Sequence, residues 1–70
     1  MTNRQQPPSL SDDELLQEFK EREAEARNLI NGASFFLGMP KGLVKLEAAQ
    51  KEIKRALQIN RELIKRGVNL

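Results

Sequence analysis

From Leu43 to Arg66 apolar residues return at steps of three and four, the spacing of one helix face. Leu46, Ala49, Ile53, Ala56, Leu57, Asn60, Leu63 and Ile64 make up the stripe. Leu43, Gln50 and Ile59 border it, and Ala48 widens it. A stripe this broad exceeds what one packed neighbour covers. The far side carries Lys51, Arg55, Gln58, Glu62 and Lys65. Lys65 and Arg66 place positive charge at the negative end of the helix dipole, and Gly67 suits a left-handed cap with Val68 folded back on the helix.

A second stripe runs through Leu15, Phe19, Ala26, Ile30, Ala33 and Leu37, with Leu16, Leu29 and Phe36 on its edges. Its start is marked by Ser11-Asp-Asp-Glu14, a capping box, with Leu10 and Leu15 placed as a hydrophobic staple. Asp12 and Asp13 sit at the positive end of the dipole, so the acidic cluster reads as a helix start rather than a metal site. Asn31-Gly32 is a turn signal, yet the stripe stays in phase through it. The pattern therefore predicts an unbroken helix over about 12–37. The alternative is a helix ending near Asn31 with a short second piece from Ala33 to Leu37. A glycine inside a helix costs about 1 kcal/mol, which close approach of another backbone would explain.

Gly38-Met39-Pro40-Lys41-Gly42 separates the two patterns. Gly38 can end one helix in the left-handed region, and Pro40 suits the first turn of the next. The predicted elements are a turn at 38–42 and a helix over about 43–66. So short a connection makes neighbouring helices antiparallel. The first helix is mainly acidic and the second mainly basic, which favours their pairing and sets register more than stability. Residues 1–10, with Pro7-Pro8, read as a disordered polar tail, and 11–70 as one helical hairpin domain.

Seventy residues supply a marginal core, and chains of this size usually need a disulfide, a metal or a second subunit. The chain has no Cys and no His, which excludes disulfides and the ordinary zinc and copper sites. Oligomerisation is the remaining device. The fold class expected is all-α: an antiparallel two-helix hairpin that dimerises into a four-helix bundle. Its core is expected to contain Leu15, Phe19, Ala26, Ile30, Ala33, Leu37, Leu46, Ile53, Leu57 and Leu63. No apolar run reaches membrane-spanning length and the N-terminus lacks a secretory apolar segment, so a cytoplasmic protein without membrane contact is expected.

Catalysis has few side chains to use: His, Cys and Tyr are all missing. Glu21 and Glu25 share a helix face, but a carboxylate metal site in a bundle also calls for a Glu-x-x-His pair. Gly38–Gly42 lacks the spacing of a phosphate loop. The reading is a protein that is not an enzyme and has no cofactor. Asn60, an amide within an apolar stripe, suits a register-fixing core position, partnered by a symmetry-related Asn60 or Gln50. Phe35, Phe36 and Met39 at the hairpin tip, with Ile59 on the edge of the second helix, are the expected contact surface for a protein partner.

Two functions follow as expectations. The first is a non-enzymatic oligomeric adaptor, inhibitor or chaperone-like accessory that binds a protein partner. The alternative is a nucleic-acid or nucleotide binder using Lys41, Lys45, Lys51, Arg55 and Arg66. That basic side is interleaved with Glu52 and Glu62 and has no aromatic residue for stacking, and the formal net charge is only +2.

Overall fold

In a computed structural model, residues 6–68 are described and every regular element among them is helical. A 3-10 turn, Pro7–Ser9, leads into α1, Asp12–Ala33. A second 3-10 turn, Ser34–Phe36, leads through Leu37–Met39 into α2, Pro40–Arg66. Arg22 pairs with Glu52, whereas Glu18, earlier in α1, pairs with Arg55, later in α2. The two helices are therefore antiparallel and form a hairpin.

The start of α1 follows from local chemistry. The Glu14 amide donates to Ser11 Oγ over 3.1 Å, and the Ser11 amide donates to Glu14 Oε1 over 2.8 Å. Leu10 packs against the cluster that contains Leu15, as a staple requires. The end of α2 is equally local. Gly67 has φ 74° and its amide donates to the Ile64 carbonyl, while the Val68 amide reaches back to Leu63 over 3.0 Å.

Three boundaries depart from expectation. The α-helix stops at Ala33 instead of continuing to Leu37: Ser34 Oγ donates to the Asn31 carbonyl at 2.6 Å and the chain tightens into a 3-10 turn. Gly38, φ 75°, then reverses the chain. The second helix begins at Pro40 and not at Leu43, so the last three residues of the expected turn already form its first coil. Within the expected disordered tail, Pro7 is buried and the carbonyls of Pro7 and Pro8 each accept from Arg66 Nη2 at 3.2 Å. The part of that tail before Gln6 lies outside the described residues, as do the last two positions of the expected domain.

The core is small and unevenly distributed. At the open end Leu15, Ile59 and Leu63 are buried together, with Leu10, Leu16, Phe19 and Val68 packed around them. Nearer the tip the buried positions are Ala26, Ala33, Gly42 and Ala49, which bring the backbones close instead of filling space. A Cβ on Gly42 would run into the carbonyl of Phe36. Gly32, by contrast, faces only the flexible stem of Lys45, so the close backbone approach occurs at Gly42.

Leu15, Ala26, Ala33 and Leu63 are buried as expected. Phe19 is half-buried, but Ile30, Leu37, Leu46, Ile53 and Leu57 are exposed. The reason lies in α2. Its inner seam is Gly42, Lys45, Ala49, Glu52, Ala56, Ile59, Leu63 and Arg66, again spaced by three and four. The bulky aliphatic residues sit one position further on. One residue is about 100° of helix, enough to turn them away from α1. The wide stripe of the sequence is thus two seams side by side, and the hairpin covers one.

Candidate interaction surface

The outer seam of α2 consists of Leu43, Leu46, Gln50, Ile53, Leu57, Asn60 and Ile64, all exposed. Ile53 is 50 % exposed and Ile64 70 %. Beside the seam runs an apolar groove, where Phe19, Ala26 and Ile30 of α1 face Ile53 and Ala56 of α2. Arg22, Glu23 and Arg27 border it. Arg27 donates from Nε to Glu23 at 2.9 Å, and that bond holds the guanidinium above its ordinary pKa. Arg22 reaches Glu52 across the helices, while its buried Nε has no acceptor among the described residues. The other side of the hairpin is charged: Glu25, Glu47, Lys51 and Glu52 surround Leu29, Val44 and Ala48. One side of the hairpin is therefore apolar and the other polar.

The tip adds a second apolar area. Phe35 is 81 % and Leu37 79 % exposed, and Met39 projects beside them. The 3-10 geometry explains this, since it turns Phe35 outward as Phe36 turns back over α2. Phe36 is half-buried, and Lys41 Nζ lies 4.8 Å from its ring centroid. Phe36 is accordingly more a packing residue of the tip than an open contact.

Ile59 requires correction. It is fully buried in the inner seam and offers no surface to a partner. Asn60 stands on the outer seam, outside the hairpin core and level with the exposed Leu57 and Ile64, so the symmetry-related partner expected for it lies beyond the single chain.

The basic residues do not form one face. Arg55 points inward, 8 % exposed, and its Nη2 donates to Glu18 Oε1 at 3.1 Å. Arg66 clasps the open end: Nε donates to Glu62 and Nη1 to Asp12, both at 2.8 Å. Those carboxylates, Asp12 first, raise its pKa above the ordinary arginine value. Lys45 lies along Gly32. Lys41 and Lys51 remain exposed, Lys41 over Phe36 and Lys51 among the glutamates of the charged side. Sequence reasoning placed Arg55 on the solvent side because charge is usually solvated. The signal missed was the complementary placement of Glu18.

Among the described residues no group of His, Cys, Asp or Glu has the arrangement of a metal site, and no helix is long and apolar enough to cross a membrane. No family model, no curated protein and no solved structure matches the chain.

Proposed function

We propose that this protein is a non-enzymatic helical interaction protein that works as an oligomer, most simply a dimeric four-helix bundle. Its role is that of an adaptor, inhibitor or chaperone-like accessory for a protein partner. The observation that carries the reading is the outer seam of α2. Five aliphatic residues, Leu43, Leu46, Ile53, Leu57 and Ile64, line one face of a single helix and α1 leaves all of them exposed. Bulky aliphatic side chains exposed in a row along one helix face make an association surface. The exposed Phe35, Leu37 and Met39 form a second, separate contact area at the tip. The nucleic-acid or nucleotide alternative has weaker support, because Arg55 and Arg66, two of its five cations, are engaged within the fold.

Sedimentation velocity tests the first part. The wild-type chain is expected to sediment as a species heavier than one chain, and Leu57→Glu as a monomer of unchanged helicity. A wild-type chain that stays monomeric at every concentration would remove the support. For the tip, Phe35→Ala is expected to leave the melting temperature nearly unchanged, since surface substitutions usually alter stability by no more than about 0.5 kcal/mol. A large loss would make Phe35 a core residue and not a contact.

A further inference from the structure

We infer that the occupant of the outer seam is a second copy of this chain, with the two α2 helices antiparallel in a single register that sets Gln50 of each copy opposite Asn60 of the other. This rests on the association reading above and specifies its geometry.

The seam itself supplies the argument. Leu46, Gln50, Ile53, Leu57, Asn60 and Ile64 repeat at steps of four and three, the heptad pattern of a helix that packs along another helix. Read backwards, the series has the same steps and the same chemistry: aliphatic, amide, aliphatic, aliphatic, amide, aliphatic. A two-fold axis demands this property, because an isologous interface must complement itself. With the axis midway between Ile53 and Leu57, Leu46 faces Ile64, Gln50 faces Asn60, and Ile53 faces Leu57. The partner's seam closes the same three layers in reverse.

Register follows from the amides. A buried amide without partners costs about 1–3 kcal/mol, and two facing amides supply each other with donors and acceptors. Sliding one helix by a heptad sets Gln50 against Ile53 and Asn60 against Leu43. Sliding it the other way sets Asn60 against Leu57. The central register alone buries both amides together.

Charge selects the direction. In the antiparallel register Glu47 of each copy lies beside Arg61 of the other along the edge of the seam, while Lys54 meets its own copy across the axis. A parallel pairing would also match amide with amide, but it aligns the two helix dipoles and sets Glu47 and Arg61 beside the partner's Gly42 and Ala56, where neither finds an opposite charge. Packing α2 on the partner's α1 matches less well. The middle of that helix edge is the Glu23–Arg27 pair, which would meet the aliphatic middle of the α2 seam.

The chain has no Cys, so introduced thiols report without background. Gln50 and Asn60 are ten residues apart in one helix, about 15 Å, too far for a disulfide within a chain. Under mild oxidation the double variant Gln50→Cys with Asn60→Cys is expected to give a covalent dimer, and each single variant is expected to stay unlinked. Efficient linking of the single variants would establish a parallel pairing and overturn the proposal. A heavier species in sedimentation with no linking in any variant would overturn the register while leaving self-association intact. A charge exchange gives an independent readout. Glu47→Arg alone is expected to weaken dimerisation by roughly two- to tenfold, as rim ion pairs allow, and adding Arg61→Glu to restore it. Failure of the double exchange to restore dimerisation would count against the antiparallel edge.

Discussion

Alanine at each of two glycines should move stability in opposite directions. At Gly42 a Cβ would fall inside van der Waals contact of the Phe36 carbonyl oxygen and 3.1 Å from its carbon. Unstrained carbons sit about 3.5–4.0 Å apart and the oxygen is nearer still, so one backbone must shift by more than about half an ångström. That carbonyl also accepts the Met39 amide at 3.1 Å, and the Gly42 amide donates to Met39 at 3.0 Å. A shift therefore strains the turn that joins the helices. Overpacking of this kind costs about 1–3 kcal/mol, and replacing a helical glycine returns about 0.5–1 kcal/mol. The net expectation for Gly42→Ala is a loss of up to roughly 2.5 kcal/mol, with Tm lowered by about 4–8 °C per kcal/mol. At Gly32 the nearest atom to a Cβ is Lys45 Cδ at 3.3 Å, the stem of a side chain that can swing aside. Gly32→Ala should be neutral or stabilising by up to about 1 kcal/mol. Thermal melts by circular dichroism at several protein concentrations separate folding from association. Equal effects at the two glycines, or a stabilising Gly42→Ala, would refute the claim that the tip is pinned by backbone contact.

Two further outcomes follow from the ion pairs and the cap. Arg55→Met should destabilise by about 1–3 kcal/mol, because it takes the arginine from Glu18, while the double variant Glu18→Leu with Arg55→Met should recover most of that loss; urea denaturation checks both. The Ser11 amide and then its hydroxyl hold Glu14 below the usual carboxylate range. A carboxylate with its folded pKa depressed stabilises above its unfolded pKa, and the contribution is lost as pH falls through the folded value. The stability gap between the wild type and Glu14→Gln should therefore close on acidification, as measured by urea midpoints across that range.

What was legible in the sequence was short-ranged. The Ser11–Glu14 box, the Leu10–Leu15 staple and the Gly67 cap each span a few residues, and each is read from residue types alone. The hairpin followed from two periodic stretches and a short link. The packing face of α2 did not follow, because its stripe is wide enough to hold two seams and periodicity gives no preference between them. The choice depends on the small residues Gly42, Ala49 and Ala56 and on the cross-helix pairs of Glu52 and Arg55. Within the single hairpin it is Ile59, read as an edge residue, that is buried, whereas Leu46, Ile53 and Leu57 are left exposed. Burial of Pro7 was out of reach for a different reason: the arginine that fixes its carbonyl stands at the far end of α2.

The placement of that clasp has a consequence for how the chain folds. The largest buried side chains, Leu15 and Ile59, lie near the open end, and the Arg66–Pro7 bond beyond them joins residues 59 apart in sequence. The tip joins residues close in sequence but buries mainly alanine and glycine. A hairpin would ordinarily zip from the tip, gaining as it goes. Here the early contacts are cheap in loop entropy and poor in apolar area, and the rewarding ones come last, at an added closure cost of only roughly 1 kcal/mol. A half-zipped chain therefore has little to hold it, and the two ends of the molecule should be gained and lost in one cooperative step. Native-state hydrogen exchange would then show similar protection along the middle of both helices, without a gradient from tip to clasp.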